Sequence, residues 1–429
     1  MDARLLELQQ YIQVHPLLKK STKIKKKYLS LLTYFVSSFG ENDLWAEQML
    51  KLYVSKSDVN EVNDNPEDLS FFQRFKFSRY REILLADCLF MTSFYNREKG
   101  KQLLECFINY FGNRYRERLT GLYDVFYGDI IMSENYFATD VEKIYKLIQE
   151  NRKFSKKTEK RIVITANMSA GKSTLLNALV GKKVNKTQNA ACTAKTHYLY
   201  NKAGEDGFIY EWDHNLELDA TRDILMDDNN ENESIEIHVG ARFRSQGDIN
   251  ARVCFIDTPG VNSAMDEEHK DISYETLTKT KCDLLIYLFN GENIGSEDDR
   301  RHLEFVRENY TGNILFLVNR MDKYKEGEDS VTQTLAGVRA ELEGIGFEEP
   351  DVYPISAYAG YLAKTVLYGE TLNDDEIDSL DCFVRKFKKS SFFYEKYYPT
   401  RIQVSDETNE VEILLVHSGI TSLEKIIFN

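Results

Sequence analysis

The sequence predicts an α/β fold, a mainly parallel sheet flanked by helices, preceded by an all-helical N-terminal domain. Two patterns indicate this division. In the first ~155 residues, aliphatic and aromatic side chains recur at helical spacing, as in ILLADCL at 83–89. After residue 160, short apolar runs alternate with helical stretches, which is typical of a parallel sheet crossed by helices. A chain of 429 residues is long enough for two to three domains.

The charged run RKFSKKTEKR at 152–161 predicts the linker between the two domains. We therefore expect a helical domain over 1–155 and an α/β domain over 156–429. The segment 140–150 (DVEKIYKLIQE) is predicted to be a helix, with Asp140 or Thr139 as its cap. Residues 362–412 are rich in Tyr, Phe and acidic side chains and are predicted to be an insertion before a last strand and helix. We expect their aromatic cluster to form a local core.

The α/β domain is predicted from its apolar runs. The predicted strands are 161–165, 234–243, 251–256, 283–289, 313–318 and 351–355. The second and third runs are separated by the turn RSQGD, so we expect them to form an antiparallel hairpin. Helices are predicted at 173–180, closed by Gly181, and at 330–343, ended by Gly344.

The charge is unevenly distributed. Residues 1–160 carry 26 Lys and Arg against 22 Asp and Glu, whereas residues 161–429 carry 29 against 47. The acidic second part disfavours extended nucleic-acid binding there. The basic run KKSTKIKKK at 19–27 fits either a solvated helix face or a contact with anionic lipid or nucleic acid.

The sequence shows no apolar run near the ~20 residues of a membrane span. Its first residues carry no secretory pattern. The six cysteines form no paired motif, which favours reduced thiols over a metal or disulfide framework. We expect a cytoplasmic location, with peripheral membrane contact as a further option.

The segment RIVITANMSAGKSTLL at 161–176 matches the pattern GxxxxGK[ST] between a strand and a helix, with Ala166 in place of the first glycine. We call residues 166–173 the phosphate loop. Small residues let successive main-chain N–H groups surround phosphate oxygens at the positive end of the helix. Lys172 would reach the β- and γ-phosphates, and the Ser173 hydroxyl would ligate Mg²⁺. The alternative is a strand-to-helix turn that carries GKS by chance.

Downstream, DTPG follows the apolar strand VCFI. At that strand end Asp257 could hold Mg²⁺ through water, and the Gly260 N–H could sense the γ-phosphate. A threonine that closes over the metal should lie between the two motifs. Thr193 is the first candidate and Thr196 the second, while an ordinary surface threonine remains the alternative.

The motif NRMD follows the strand NILFLV. The Asp322 carboxylate can accept hydrogen bonds from guanine N1–H and the 2-amino group, which adenine does not offer. Arg320 could cover the base and Asn319 could brace the phosphate loop, although the usual pattern is [NT]KxD. After the strand VYPI, Ser356 precedes Ala357, whose N–H could meet guanine O6.

The ordered motifs ANMSAGKS, CTAKT, DTPG, NRMD and SA resemble a translation-factor-like GTPase domain. Within that class, SAGKSTLLNAL, ACTAKTHYLY and the long spacing between them and DTPG are similar to the dynamin-like group, bacterial dynamin-like proteins in particular. The resemblance covers about 160–429 and implies a P-loop GTPase fold with Mg²⁺ ligated by Ser173, Thr193 and Asp257. It implies nucleotide contacts from Asn167, Met168, Ser169, Ala170, Gly171, Lys172, Ser173, Thr174, Asp257, Gly260, Asn319, Arg320, Asp322, Ser356 and Ala357.

The resemblance also bears on catalysis. Val261 stands where some GTPases place a glutamine, so water must be oriented by other groups. In dynamins a phosphate-loop serine, a monovalent cation (K⁺ or Na⁺) and dimerisation across the nucleotide face contribute. Ser169 matches that serine, but Met168 replaces the glutamine before it. The resemblance therefore implies Ser169, Lys172 and Thr193 as the catalytic residues.

We expect a GTPase that hydrolyses GTP to GDP and phosphate with Mg²⁺, with a role in membrane remodelling. Two alternatives stay open: a ribosome- or RNA-associated GTPase, and a GTP-dependent binding switch with little turnover. The expected partners are a guanine nucleotide, a second copy of the chain through the GTPase face, and a membrane. A full dynamin-like protein also has a stalk and a membrane-binding region, and we expect neither within this sequence.

Overall fold

A computed structural model of the protein describes most of the chain. The described residues are 11–12, 14–40, 43–59, 62, 80–131, 139–167, 169–184, 195–205, 207–212, 216–218, 220, 236–245, 249, 251–258, 275–278, 280–325, 327, 330–400, 402, 404 and 408–428. The chain divides into two compact units. The first is Met1–Lys157 with Lys202–Tyr210 and Leu216–Asp219, and the second is Thr158–Asn201, Glu211–Asn215 and Ala220–Asn429.

The part of the first unit that lies before Lys157 is helical over its described residues. Its helices are α1 (Thr22–Phe39), α2 (Leu44–Lys56), α3 (Arg81–Thr92), α4 (Arg97–Phe111), α5 (Arg116–Tyr127) and α6 (Thr139–Ser155). Helix α3 is buried at all of its positions, so the other helices pack around it. No helix in the described ranges is long and apolar enough to cross a membrane. The polar run SKSDVNEVNDNPED at 55–68, which is typical of a loop, and the aromatic residues at 71–77 lie largely outside the described residues.

Helix α3 places one carboxylate, Asp87, in the centre of this unit. Asp87 is fully buried. Its Oδ1 accepts from the hydroxyls of Tyr11 (2.6 Å) and Tyr53 (3.1 Å), and its Oδ2 accepts from the Tyr28 hydroxyl and from His15 Nε2 at 3.2 Å. The His15 Nδ1 accepts a main-chain N–H two residues later, so Nε2 carries the proton. Four donors therefore satisfy a charge that would otherwise be costly to bury.

The second unit is an α/β domain. Its main strands are β1 (Glu159–Ala166), β2 (Thr196–Asn201), β5 (Glu236–Ala241), β6 (Arg252–Asp257), β7 (Leu284–Asn290), β8 (Ile314–Asn319) and β9 (Val352–Pro354). Their spatial order is β5-β2-β6-β1-β7-β8-β9. All neighbours are parallel except β2 and β6. Two short strands, β3 (Tyr210–Trp212) and β4 (Leu216–Glu217), lie in the sequence between β2 and β5.

Helices flank this sheet. They are α7 (Lys172–Val180), α8 (Glu297–Asn309), α9 (Val331–Ile345), α10 (Ala357–Leu367), α11 (Asp374–Lys386), α12 (Glu410–His417) and α13 (Ile420–Phe428). The strands β1 and β6 to β8 are buried along most of their length, as expected for strands covered on both faces. The predicted α/β class with a mainly parallel sheet is therefore confirmed.

A buried ion pair holds three of these helices together. The Lys364 ammonium on α10 is fully buried and donates to the Glu424 carboxylate on α13. It also donates to the main-chain oxygens of Leu179 (3.2 Å) and Arg244 (2.6 Å). Because Leu179 is near the end of α7, this pair fixes the helix that follows the phosphate loop.

Three predictions of local structure were wrong. Residues 234–243 and 251–256 do not form a hairpin, because β2 lies between β5 and β6 and pairs with both. A last strand was predicted after the insertion that ends at 412, but the residues there belong to α12. The Asn409 side chain caps the N-terminus of α12 by accepting from Glu412 N–H at 2.8 Å. Helix α9 continues through Gly344 and ends at Gly346.

The predicted linker is mostly ordered structure. Helix α6 continues to Ser155 and β1 begins at Glu159, so 156–158 alone separate the two elements. The predicted insertion, 362–412, contains most of α10, all of α11 and two short 3-10 turns.

Candidate functional site

The parallel register brings the ends of several strands to one edge of the sheet. Ile164 pairs with Asp257, so the phosphate loop, which follows β1, begins beside the end of β6. Asn290, at the end of β7, pairs with Asn319, at the end of β8. In parallel α/β sheets this carboxyl edge is where ligands bind.

The phosphate loop has the backbone of a sharp turn. Ser169 adopts φ +62° and Gly171 adopts φ +95°, both in the left-handed region. Ser169 is exposed, while Lys172, Ser173 and Thr174 at the start of α7 are partly buried. The N-terminus of α7 thus opens onto the loop, with one ammonium and two hydroxyls on its first turn.

Asn319 connects the phosphate loop to the segment after β9. Its Nδ2 donates to Ala170 O at 2.9 Å, and its Oδ1 accepts from Ala357 N–H at 3.0 Å. A Cβ on Gly171 would lie 2.5 Å from Asn319 Nδ2. Glycine at 171 is therefore required by its positive φ and by the closeness of Asn319.

Asp322 and Ser356 form a second contact at this edge. The Ser356 hydroxyl donates to Asp322 Oδ1 at 2.7 Å, and both residues are buried. Burial raises the pKa of Asp322, and the hydrogen bond from Ser356 opposes that rise. No other described side chain donates to this carboxylate, so it retains acceptor capacity for a ligand.

Arg320 begins the NRMD turn with φ +64°. Its guanidinium lies 3.2 Å from Glu292 Oε2, in the loop after β7. Gly291 N–H donates to Asn319 O at 2.8 Å, and a Cβ on Gly291 would lie 2.6 Å from that oxygen. The loops after β7 and β8 are therefore packed directly against each other.

Lys172 and Asp257 provide opposite charges near the loop. Burial lowers the pKa of Lys172, and the negative charge of Asp257 opposes that change. Asp257 is fully buried at the end of β6. The next residue, Thr258, donates its hydroxyl to Ile164 O at 3.3 Å and so ties the end of β6 to β1.

Three predicted site residues, Met168, Thr193 and Gly260, lie outside the described residues. The second candidate for the metal-covering threonine, Thr196, is described: its side chain is buried in β2 and its hydroxyl lies 3.4 Å from that of Thr276. Thr196 therefore lies within the sheet, and the assignment of Thr193 stays a prediction.

Sequence reasoning missed two side chains that support the site. Asp299, near the start of α8, accepts from Asn167 Nδ2 at 2.8 Å and so connects the phosphate loop to this helix. Lys386, the last residue of α11, donates to main-chain oxygens of the NRMD turn. Nothing in the local sequence signals either contact, since Asp299 is 132 residues from Asn167 and Lys386 is 64 residues from Asp322.

These features fit a nucleotide with its divalent metal ion. Gly171 lets the Asn319 amide approach the helix start closely, and Lys172, Ser173 and Asp257 supply an ammonium, a hydroxyl and a carboxylate. The fold and the site define a P-loop nucleotide-binding domain.

A comparison with family models gives the particular kind of domain. Residues 162–321 match the model of the dynamin family. The match begins in β1 and includes the phosphate loop, Asp257 and the first residues of the NRMD motif. This segment of the second unit is therefore similar to the dynamin family, as the sequence motifs predicted.

Solved structures were also compared. A structure of an Era variant from Aquifex aeolicus bound to GDP and AlF4⁻ is 17% identical, with a TM-score of 0.29, and the alignment covers 50% of this chain and 58% of that one. A bacterial selenocysteine-specific elongation factor is 16% identical, with a TM-score of 0.30, and the alignment covers 51% and 28%. This chain thus spans less than two thirds of either structure. Among curated proteins, none matches the sequence.

Proposed function

We propose that the chain binds GTP and hydrolyses it to GDP and phosphate. The observation that carries this proposal is Asn319, which bonds both to the phosphate loop, at Ala170 O, and to Ala357 N–H. One side chain thereby fixes the distance between the place for a phosphate and the place for a base. A nucleotide that spans both would be recognised at its two ends.

At the phosphate end, the main-chain N–H groups around Gly171 and the N-terminus of α7 would bind phosphate oxygens. The Lys172 ammonium would stabilise negative charge on the transferring phosphoryl group. Burial lowers the pKa of Lys172, and the negative charge of Asp257 opposes that change. Ser173 and Asp257, with Thr193, would hold Mg²⁺. The ion, when bound, would neutralise the charge that develops on the phosphate oxygens.

At the base end, the Asp322 carboxylate would accept hydrogen bonds from guanine N1–H and the 2-amino group. Ser356 donates to one of its oxygens and so orients the carboxylate. The Ala357 N–H, which the sequence offered to guanine O6, donates instead to Asn319 Oδ1 at 3.0 Å, so this donor is already engaged within the protein. Arg320, anchored by Glu292, would lie along the face of the base.

Hydrolysis requires a water molecule in line with the leaving phosphate. Ser169 is exposed in the phosphate loop, and its backbone is in the left-handed region. We assign Ser169 and Thr193 to the orientation of this water, with K⁺ or Na⁺ as an additional charge. A phosphate-release assay in K⁺ against Na⁺ tests the cation, and equal rates with no monovalent ion would remove it from the mechanism.

The experiment that tests the proposed function is calorimetric titration of the full chain with GTP, GDP and ATP, followed by a phosphate-release assay. We expect binding of guanine nucleotides, no measurable ATP binding, and turnover with Mg²⁺. Lys172→Ala should abolish turnover because the ammonium at the phosphates is lost. The matched control is Lys183→Ala, which removes a lysine of the same unit that pairs with Glu376 at 3.5 Å. Absence of guanine-nucleotide binding by folded protein would end the proposal.

A membrane role is the finer part of the proposal. Four lysines at or near the start of α1 are exposed: Lys19, Lys20, Lys23 and Lys26. Such a cluster attracts an anionic lipid surface, and each basic residue contributes about 1 kcal/mol near that surface. Co-sedimentation with vesicles containing phosphatidylserine should show binding that is lost in 0.5 M salt. Equal binding to neutral vesicles, or preference for RNA, would contradict a membrane role.

Self-association through the GTPase face is also proposed. Light scattering of the chain with GDP and aluminium fluoride, compared with GDP alone, tests it. A mass that doubles in the transition-state analogue alone supports the proposal, and an unchanged mass opposes it.

A further inference from the structure

Lys386 contacts the turn that carries the candidate base-reading carboxylate. Its ammonium donates to Asp322 O at 2.5 Å and to Tyr324 O at 2.7 Å. The same nitrogen lies 4.6 Å from the centroid of the Phe392 ring, which is almost fully buried. This ammonium therefore makes two hydrogen bonds to carbonyl oxygens and one cation–π contact with an aromatic ring.

The turn needs such a partner. It begins with Arg320 in the left-handed region and continues as the 3-10 turn Met321–Lys323. The last carbonyl oxygens of a short helical turn have no partner within the turn and point towards its negative end. Lys386 satisfies two of these oxygens with one positive charge. The Tyr324 hydroxyl, which donates to Gly291 O at 3.1 Å, holds the turn from the other side.

Lys386 also acts on the Asp322 carboxylate through its charge. The ionisable groups that face Asp322 are Lys323 on its own turn, Lys386 at the end of α11, and the buried Tyr394 after it. Burial raises the pKa of Asp322, whereas Lys323 and Lys386 lower it. Tyr394 stays neutral because burial raises its pKa far above its usual range. Loss of Lys386 therefore favours the protonated carboxyl.

We propose that Lys386 is the positioning residue for base selection: it fixes the 320–324 turn so that an ionised Asp322 faces the N1–H and 2-amino groups of guanine. This inference rests on the proposed function. The ordinary alternative is a lysine that stabilises the fold without affecting selectivity. The two differ because a fold-stabilising lysine would not alter the ratio of affinities for two bases.

The test compares GDP with IDP, which differs only by the missing 2-amino group. The variant is Lys386→Met in the full chain, and Lys386→Gln is a second variant that retains a hydrogen-bond donor if the first does not fold. The control is Lys388→Met, because Lys388 lies two residues away and forms an exposed ion pair with Glu410. Isothermal calorimetry gives both affinities, and a melting curve confirms folding.

We expect the preference for GDP over IDP to fall at least about tenfold in Lys386→Met, since a hydrogen bond to a charged acceptor is lost or misaligned. Lys386→Arg should restore part of the preference, and Lys388→Met should leave it unchanged. The GDP affinity of Lys386→Met should also begin to fall at a higher pH on acidification than in the wild type, because the pKa of Asp322 rises.

The outcomes separate the two proposals. A wild-type chain that binds GDP and IDP equally would overturn the base-reading role of Asp322 and with it the role of Lys386. A wild type that prefers GDP, together with an unchanged preference and pH profile in folded Lys386→Met and Lys386→Gln, would overturn the Lys386 proposal alone.

Discussion

Each unit of the molecule buries an aspartate beside hydroxyl donors, but the two aspartates differ in how fully they are hydrogen-bonded. Asp87 in the helical unit accepts from three tyrosines and one histidine, so both of its oxygens are occupied. Asp322 in the α/β domain accepts from one described side chain, Ser356, on one oxygen. The first carboxylate has nothing left to offer a ligand, whereas the second does.

The comparison shows how a buried charge can be used for stability or for binding. A buried carboxylate with all its acceptor sites filled fixes the helices that supply the donors. One with open acceptor sites carries a cost of burial, which is visible as the raised pKa of Asp322, and a ligand can remove that cost. Substitutions at Asp87 should therefore change the free energy of unfolding, whereas substitutions at Asp322 should change nucleotide affinity.

The largest expected effect is on stability. Asp87→Ala leaves three hydroxyls and an imidazole N–H without an acceptor in a dry core, which should cost about 4 kcal/mol of unfolding free energy in the helical unit. Denaturant unfolding with hydrogen exchange on α1 and α3 measures it. Guanine-nucleotide affinity should change little if the unit remains folded. A decrease in unfolding free energy of less than about 1 kcal/mol would show that the hydrogen bonds to Asp87 contribute little to the stability of this unit.

Asp322→Asn should have a large effect on nucleotide affinity and a small effect on stability, the opposite of Asp87→Ala. The substitution removes the charged acceptor for two hydrogen bonds, which should weaken GDP binding by about 3 kcal/mol, or more than a hundredfold. The amide can donate to the 2-oxygen of xanthine, so XDP should become the better ligand. Stability should change by less than about 1 kcal/mol. Competition calorimetry with GDP and XDP is the measurement, and normal GDP affinity would refute the assignment.

The pH dependence of binding sharpens the difference. Burial raises the pKa of Asp322 in the free protein. In the proposed function, guanine binds the ionised form. GDP affinity should therefore be constant above that pKa and fall as the pH drops through it, by up to about tenfold per pH unit. Titrations between pH 8 and pH 5 measure the slope. The Asp322→Asn variant should show no such slope, and a persistent one would assign the titration to another group.

The smallest effects come from a matched pair that removes one hydroxyl donor from each carboxylate. Tyr53→Phe removes the 3.1 Å bond to Asp87 and should cost about 1 kcal/mol of stability. Ser356→Ala removes the 2.7 Å bond to Asp322 and should weaken GDP binding about fivefold. Denaturant curves and GDP titrations of both variants give four values. If either variant changed the free energy of unfolding and the GDP binding free energy by the same amount, the two carboxylates would not differ in role as described.

Local sequence patterns predicted much of the α/β domain. The strand, loop and helix around the phosphate loop were predicted within a few residues, because their periodicity and the glycines at 171 and 181 act over short distances. The strands that became β7, β8 and β9 were predicted for the same reason. Both glycines indeed adopt positive φ, at the N-terminus and C-terminus of α7.

Long-range relations were not predictable in this way. The pairing of β2 with both β5 and β6 depends on strands that are separated by tens of residues, so the adjacent runs were wrongly joined as a hairpin. The apolar run that forms α12 fits a buried strand or a buried helix equally well, and its Asn409 cap decides for the helix. Residues 1–155 carried no recognisable motif, and the Asp87 cluster is invisible in sequence.

The sequence by itself determined the α/β class, the phosphate loop and the aspartate offered to a guanine base, because each depends on residue types at short, fixed spacing. The tertiary structure decided which side chains hold the phosphate loop and the NRMD turn in place. Asn319 bonds to the phosphate loop and to Ala357 N–H, Asp299 accepts from Asn167 of that loop, and Lys386 donates to the main chain of the NRMD turn. Those contacts join residues 38 to 149 positions apart, and only the packing of helices against the parallel sheet brings such residues within hydrogen-bonding distance.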